Sequence, residues 1–318
     1  MPDNRSELSV PEDVSRLMTM SHDGREINVD LIIESLRRDL VVLIRNVAAD
    51  QVDSVVYSIA DRLGLGDALK VQASLAGFLG HRHNIGKYFM SVNKRGDYQF
   101  IPPHSEGNSF LGMQLASFFC YENSTDGGET ILMNVDDSST VWQSLREKVK
   151  RGKLARPLAP HEVLRAKGLY QIHLPADSLR ETDQVLQELR STIAGLAIVE
   201  VLAKPSKTYS RILDRELNAY WDSIASIDFD SAREYADLLR LCGLLREPQG
   251  GLQLSQMDNA AQRRVWQSGV HYAQLFKCKI TRKLVPGDLI IQNNLTWTHA
   301  TSNWTPNSGT RKVAAAFA

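Results

Sequence analysis

The chain has 318 residues, 43% of them hydrophobic, and its 37 Lys and Arg residues balance its 37 Asp and Glu residues. This length and apolar content allow a large buried core, which excludes an intrinsically disordered protein. A formal charge of zero gives no overall field that attracts nucleic acid or an anionic membrane, so we expect neither as a partner.

The first residues and the cysteines indicate a cellular compartment. The segment MPDNRSELSV has no apolar signal core, and no apolar run approaches the roughly 20 residues that span a bilayer. Only Cys120, Cys242 and Cys278 are present, far apart in the sequence, which fits reduced thiols rather than a disulfide framework. We therefore expect a cytoplasmic protein; its oligomeric state is left open.

The first part of the chain mixes helix and strand signals. Residues 77 to 97 have no clear period and predict loops. Amphipathic spacing predicts two helices, from Val29 to Asp39 and from Asp50 to about Leu63. Short apolar runs predict three strands, from Leu40 to Asn46, from Gln114 to Glu122 and from Glu129 to Asn134. The turn STDGG is predicted to join the last two strands as a hairpin.

The middle of the chain, from about residue 135 to 275, favours helices. Amphipathic stretches lie at Ser139 to Lys150, Thr182 to Arg190 and Ser231 to Leu245. Strand signals then return in three short runs, at Phe276 to Lys283, Leu289 to Asn294 and Lys312 to Ala318. Strands at both ends predict a single domain over residues 1 to 318, with a β-core interrupted by a mainly helical insertion or lid.

Two residues in the segment QFIPPHSEGNSF have the spacing of metal ligands. His104 and Glu106 are two residues apart, which places both side chains on one face of an extended chain, where they can hold one metal ion. Alone, the pair is more typical of a surface histidine beside a solvated glutamate.

Later residues complete a pattern with this pair. Thr130 follows Glu106 by 24 residues within GGETILMN, His299 lies just beyond a strand in GDLIIQNNLTWTHA, and Arg311 follows 12 residues later. Two histidines and one carboxylate on one face of a metal leave open coordination positions, an arrangement that suits non-haem Fe(II) oxygen chemistry.

In the order and spacing of these motifs the sequence resembles the taurine dioxygenase family and its clavaminate synthase-like relatives. The resemblance covers most of the chain except the helical middle. It implies a mixed α/β protein whose core is a double-stranded β-helix, or jelly roll, with an N-terminal helical flank. It also implies an oxygenase that uses Fe(II), O2 and 2-oxoglutarate, releases succinate and CO2, and hydroxylates, desaturates or cyclises a bound substrate.

The resemblance also implies roles for individual residues. His104, Glu106 and His299 would be the iron ligands, Arg311 would bind the distal carboxylate of 2-oxoglutarate, and Thr130 would donate a hydrogen bond to it. The planar guanidinium of an arginine suits a fixed carboxylate better than an ammonium group does. The alternatives are an ordinary cation at a strand end for Arg311 and an ordinary strand residue for Thr130.

The chain departs from the taurine dioxygenase pattern in two ways. Its carboxylate ligand is a glutamate where taurine dioxygenase has an aspartate, and 169 residues separate Thr130 from His299. Because of the second departure, neither the structure of the insertion nor the identity of the substrate can be inferred from the family.

Other groups of residues and other activities are alternatives to this interpretation. His81 and His83 have a spacing that permits zinc binding but lack a recognisable third ligand, and Trp297 fits either the wall of a pocket or the core. A catalytically silent metal-binding protein and a zinc hydrolase are the alternative functions, because fold and ligands do not guarantee turnover.

The substrate is expected to be a small polar molecule, such as an amino acid or an amino-acid-derived metabolite of a biosynthetic pathway. Residues 81 to 108 mix His, Asn, Lys, Arg, Tyr and Gln with few long apolar runs, and such side chains pair with ammonium, carboxylate or amide groups. The alternative is a larger natural-product scaffold covered by the long insertion.

Overall fold

A computed structural model of the chain describes residues 14–22, 24, 27–76, 82–92, 95–108, 111–221, 224–225, 231–251 and 272–318. It shows a mixed α/β protein dominated by sheets. Within these residues no helix is both long and apolar enough to span a bilayer.

The larger sheet has six strands. In spatial order they are β1 (Leu17–Ser21), β2 (Val41–Arg45), β14 (Leu289–Asn293), β5 (Leu115–Asn123), β16 (Arg311–Phe317) and β3 (Met90–Ser91). The first two strands are parallel, and every other neighbouring pair is antiparallel. The predicted strands at 40–46, 114–122, 289–294 and 312–318 are therefore confirmed.

Three N-terminal helices cover the outer face of this sheet. They are α1 (Val29–Arg37), α2 (Val52–Arg62) and α3 (Gly66–Ala76), and their buried residues share one apolar cluster with side chains of β2, β5, β14 and β16. The predicted helical flank is confirmed, and α3 extends it beyond the two helices that the sequence predicts.

A second sheet of four strands faces the first. Its order is β13 (Phe276–Arg282), β6 (Thr130–Val135), β15 (Trp297–Thr301) and β4 (Ile101–His104), all of them antiparallel. Because side chains alternate along a strand, each sheet has one face toward the other. Phe118 of β5 and Leu132 of β6 belong to the apolar cluster shared by the two sheets, whereas their neighbours Phe119 and Met133 belong to clusters outside it.

The predicted hairpin between 114–122 and 129–134 is wrong. Its two strands form as predicted, but β5 pairs with β14 and β16, whereas β6 pairs with β13 and β15. The turn STDGG therefore carries the chain from one sheet to the other. A short polar turn has the same sequence signature whether its flanking strands pair or separate, so local pattern cannot distinguish the two.

Between β6 and β13 the chain leaves the two sheets and forms a third. It has four strands, in the order β12 (Ile224–Ala225), β7 (Arg146–Leu154), β9 (Leu196–Ala203) and β8 (Gln184–Leu189), and a separate hairpin joins β10 (Thr208–Ser210) to β11 (Arg215–Leu217). Among the described residues of this region, the helices are α4 (Pro160–Tyr170), α5 (Ser231–Leu241) and α6 (Tyr272–Leu275).

The prediction of a mainly helical insertion is thus wrong in two of its three stretches. Residues 139 to 150 contain a 3-10 turn and the start of β7, residues 182 to 190 contain β8, and only the third stretch is helical, as α5. Lys, Arg, Glu and Leu favour helices locally, but pairing with the apolar run LAIVEVLA of β9 overrides that preference. The single-domain assignment stays a prediction.

Candidate metal centre

Two histidines lie opposite each other on neighbouring strands of the four-stranded sheet. His299 in β15 pairs with His104 at the end of β4, and the centroids of their rings are 4.4 Å apart. Both rings are largely buried, with 6% and 12% of the His104 and His299 side chains exposed. Antiparallel pairing thus brings together two residues that are far apart in the sequence.

Glu106 completes a three-residue cluster just beyond the end of β4. Its Oε2 atom lies 3.8 Å from Nε2 of His104 and 3.8 Å from Nε2 of His299. One potential ligand atom from each of the three residues lies within 4.8 Å of the other two. The carboxylate oxygen and the two ring nitrogens therefore converge on one point.

The peptide of Glu106 is held from the other sheet. Asn294, which follows β14 and is fully buried, accepts a 3.0 Å hydrogen bond from the backbone N–H of Glu106. Its side-chain amide also donates to the carbonyl of Glu106 at 2.9 Å and to the carbonyl of Met113 at 2.9 Å. This amide fixes the position from which the Glu106 carboxylate reaches the histidines.

His104 has a contact that orients its ring. Nδ1 lies 2.9 Å from the carbonyl oxygen of Pro102, a contact that requires the proton on Nδ1. Nε2 then keeps its lone pair and points toward the carboxylate of Glu106. A backbone carbonyl behind a ligand histidine is a common way to fix the ring and its tautomer.

Arg311 begins β16, and the turn between β5 and β6 determines where its side chain lies. Its Nε donates a 3.0 Å hydrogen bond to the carbonyl of Gly128. A Cβ atom on Gly128, whose φ is +73°, would lie 2.8 Å from Cδ of Arg311, and a Cβ atom on Gly127 would lie 2.0 Å from the carbonyl oxygen of Asn303. Both glycines are therefore required by close contacts, and Gly128 leaves the space that the Arg311 side chain occupies.

Burial lowers the pKa of Arg311 to about 10, which leaves the guanidinium charged at neutral pH. Within the described part of the chain no carboxylate forms an ion pair with it. Its charge is therefore available to a ligand.

One cavity joins these residues. All five positions singled out in the sequence line it: His104, Glu106, Thr130, His299 and Arg311. Along β16 the alternate residues Arg311, Val313, Ala315 and Phe317 face this space, and Phe118 closes it beside His299, with ring centroids 4.7 Å apart. The cavity therefore has a mainly apolar wall with the metal-ligand cluster and an arginine in it.

The structure also shows residues that the sequence patterns do not single out. Arg82 lines the same cavity, and its Nη2 lies 2.9 Å from Oε1 of Glu106. Arg95 lines it too and lies over the ring of Trp304, 5.2 Å from its centroid. Arg82 is the central residue of the motif HRH, and the available signal was that alternation in an extended chain predicts its side chain on the face opposite those of the two histidines.

The histidines of the motif HRH and Trp297 were the residues with competing interpretations. His83 is exposed and contacts Ser91, with 3.1 Å between Nδ1 and Oγ, and His81 lies outside the described residues. Trp297 is fully buried among core residues of both sheets, and its indole N–H donates to the carbonyl of Asp39 at 3.2 Å. Of the two alternatives for Trp297, the core is the correct one.

No protein-family model matches the chain, and no curated protein matches it significantly. Solved structures do resemble it. PvcB, an Fe, alpha-ketoglutarate dependent oxygenase from an isonitrile synthetic pathway, is 13% identical, with 100% of this chain and 93% of that chain covered and a TM-score of 0.43.

Two further structures give similar values. The PvcB protein from Pseudomonas aeruginosa is 14% identical over 100% of this chain and 92% of that chain, with a TM-score of 0.37. The non-heme iron oxygenase OrfP in complex with Fe is 13% identical over 91% of this chain and 78% of that chain, with a TM-score of 0.40. At these identities and TM-scores a likeness does not establish a shared activity, which has to be inferred from the residues of the site.

Proposed function

We propose that this protein is an Fe(II)- and 2-oxoglutarate-dependent oxygenase. The observation that carries the proposal is the meeting of two histidines, one carboxylate and a charged, partly buried arginine in one cavity. The first three residues provide a facial set of ligands with open positions. The arginine provides the planar donor that a dicarboxylate co-substrate requires.

We further propose that the two facing sheets form a double-stranded β-helix. Successive strands pass between the sheets: β4 lies in the smaller, β5 in the larger and β6 in the smaller, and β13 to β16 alternate in the same way. In such a core the metal ligands project from strands of one sheet into the space between the two. This agrees with His104 and His299 on β4 and β15.

The chemistry of the donor set fits iron. His104, Glu106 and His299 would hold the ion through Nε2, Oε2 and Nε2, the atoms that converge. Iron(II), when bound, supplies the reaction of O2 with 2-oxoglutarate that releases succinate and CO2 and oxidises the substrate.

The protein's own residues position the reactants. Arg311 binds the distal carboxylate of 2-oxoglutarate, and the hydroxyl of Thr130, a buried residue on the cavity wall, donates to the same group. Phe118, Val313 and Phe317 exclude water from the cavity, which strengthens these charged contacts.

Anaerobic addition of Fe(II) and 2-oxoglutarate tests this function. Chelation of the bound Fe(II) by 2-oxoglutarate would give a weak visible metal-to-ligand charge-transfer band that the apoprotein and the zinc protein lack. A protein that binds Fe(II) without giving this band would be a silent metal-binding protein. A zinc-dependent hydrolysis of esters or amides, with no band, would identify the hydrolase.

The primary substrate is proposed to be a small polar metabolite derived from an amino acid. Six described residues of the segment 81–108 line the cavity: Arg82, Arg95, His104, Glu106 and the apolar Val92 and Ile101. Asn84 donates instead to the carbonyl of Ala73, and Gln99 accepts from the N–H of Gly96. Succinate formation measured across amino acids, dipeptides, sulfonates and hydrophobic acids tests the proposal. Turnover with the hydrophobic acids alone would contradict it, and turnover with larger scaffolds would favour the alternative.

A further inference from the structure

The turn STDGG, residues 124–128, which carries the chain from one sheet to the other, is termed the crossover turn. Four successive carbonyl groups of this turn each accept a hydrogen bond from a basic side chain. In chain order the acceptors are Thr125, Asp126, Gly127 and Gly128, and their donors are Lys283, Arg246, Lys283 again and Arg311. The crossover turn is therefore the meeting point of three cations that are distant from it in the sequence.

Lys283 directly follows β13 and contacts two of these carbonyls. The residue is exposed, but its ammonium group lies on the turn: Nζ is 2.5 Å from the carbonyl oxygen of Thr125 and 3.3 Å from Oγ1 of the same residue, and it also contacts the carbonyl oxygen of Gly127. An ammonium group has three donors and no acceptor, so these three oxygens match it. Hydrogen bonds from a charged donor are about twice as strong as neutral ones. The contact therefore fixes the shape of the turn.

The next residue of the turn, Gly128, directs the side chain of Arg311. Its carbonyl oxygen accepts from Nε of the arginine at 3.0 Å. Nε belongs to the rigid plane of the guanidinium group, so the direction of this bond sets the direction of the two terminal nitrogens. Two parallel hydrogen bonds to a carboxylate tolerate little misorientation. A shift of the crossover turn would therefore turn the guanidinium of Arg311 away from its ligand.

The charges around the turn act on one another. Partial burial of its ammonium group lowers the pKa of Lys283, the carboxylate of Glu129 raises it, and the charges of Arg311 and Arg246 lower it again. The three cations are thus close enough to repel one another, and the carbonyl dipoles of the turn offset that repulsion. Loss of the Lys283 ammonium group would let the turn and its remaining cations rearrange.

We propose that Lys283 is a positioning residue for the co-substrate, acting through the crossover turn and Arg311. The inference rests on the proposed function, since it assumes that 2-oxoglutarate is the ligand of Arg311. Lys283 holds the carbonyls of Thr125 and Gly127, and the turn so fixed places the carbonyl that directs the guanidinium. Without this lysine the guanidinium has more orientations, and fewer of them offer both donors to the distal carboxylate.

Titration of 2-oxoglutarate into the anaerobic Fe(II) protein, followed by the charge-transfer band, tests the proposal. Lys283→Met removes the donors and should raise the dissociation constant of 2-oxoglutarate by about five- to tenfold. Lys283→Arg keeps a charged donor and should lose less affinity. The control Lys277→Met removes a lysine of β13 whose Nζ lies 3.5 Å from Oδ1 of Asp136, and it should leave the constant unchanged.

A double-mutant cycle with Arg311→Ala separates positioning from a direct effect of charge. If Lys283 acts through Arg311, then adding Lys283→Met to Arg311→Ala should change the dissociation constant by less than about twofold. A direct attraction between Lys283 and the co-substrate would give the same loss in both backgrounds. Far-UV circular dichroism checks that each variant is folded. Lys283→Gln, whose amide is uncharged and one atom closer to the backbone, replaces Lys283→Met in the cycle if that variant does not fold.

Three results would overturn the proposal. One is a Lys283→Met protein that binds 2-oxoglutarate as tightly as wild type. Another is a loss of affinity that is equally large with and without Arg311. A third is a loss in Lys283→Arg as large as that in Lys283→Met, which would show that a charged donor on the turn has no effect. If the band does not form in wild type, the proposed function fails, and this inference fails with it.

Discussion

His104 and His299 are direct partners across the antiparallel pair β4 and β15: they are 195 positions apart in the sequence, and their ring centroids are 4.4 Å apart. The cluster with Glu106 is therefore supported by the hydrogen-bonded backbone of a sheet rather than by a loop alone. A site built on paired strands holds its ligands within a small range of positions. Its supporting contacts can be tested individually.

Asn294 is expected to support metal binding through the peptide of Glu106. Asn294→Ala removes both hydrogen bonds to that peptide and should weaken Fe(II) binding by roughly 10- to 100-fold, as loss of such supporting contacts does. Anaerobic titration with Fe(II) measures the change.

Asn134→Ala is the matched control, because Asn134 is also buried but donates to Asp39 and to the carbonyl of Thr296. Both variants should lose about 1–3 kcal/mol of unfolding free energy. Equal Fe(II) affinities in the two variants would show that Asn294 is merely structural.

Arg311→Ala should reduce affinity for 2-oxoglutarate far more than affinity for iron. The co-substrate's distal carboxylate loses its cation in a buried site, at a cost of about 3 kcal/mol, or roughly a hundredfold in affinity. Calorimetry with each ligand measures the two losses. Lys312→Ala, which removes the exposed neighbouring cation, should change neither; parallel losses of both affinities in Arg311→Ala would make Arg311 structural.

Thr130→Val tests the hydroxyl assigned to the same carboxylate. The substitution keeps the shape of a β-branched strand residue and should cost about 1 kcal/mol in 2-oxoglutarate binding, roughly fivefold. Thr298→Val is the comparison, since the Thr298 hydroxyl donates to the carbonyl of Met133. Unchanged 2-oxoglutarate affinity in Thr130→Val would mean that Thr130 is an ordinary strand residue.

Gly128→Ala should harm co-substrate binding as well as stability. The new Cβ would lie 2.8 Å from Cδ of Arg311, so the arginine must move. Gly64→Ala is matched in backbone conformation, with φ of +70° against +73°, but has no atom within 4 Å of the new Cβ. Each should lose about 1–2 kcal/mol of stability from its left-handed conformation. If both kept the wild-type affinity for 2-oxoglutarate, the contact between Gly128 and Arg311 would have no functional consequence.

Sequence patterns predicted the residues of the cluster better than the contacts that support it. His104 and Glu106 are visible as a spacing of two, and His299 and Arg311 as a late strand motif. Asn294 is not visible in this way, because its bonds to Glu106 join residues 188 positions apart. Arg82 was passed over because the motif HRH draws attention to its histidines.

In the fold, too, elements determined by local sequence were predicted, whereas an element determined by a distant pairing partner was not. Amphipathic spacing predicted α1 and α2, whose apolar faces are continuous along the sequence. It failed at β7, where helix-favouring residues from Glu147 onward pair with β9, about 50 positions later. The pairing partner, not the local composition, decides the structure there.

The most direct test of the central claim is an anaerobic crystal structure with Fe(II) and 2-oxoglutarate, with the metal located by anomalous diffraction. The account predicts one iron bound by Nε2 of His104, Oε2 of Glu106 and Nε2 of His299, with the distal carboxylate of 2-oxoglutarate on Arg311. Iron bound elsewhere, or 2-oxoglutarate bound without contact to Arg311, would contradict it.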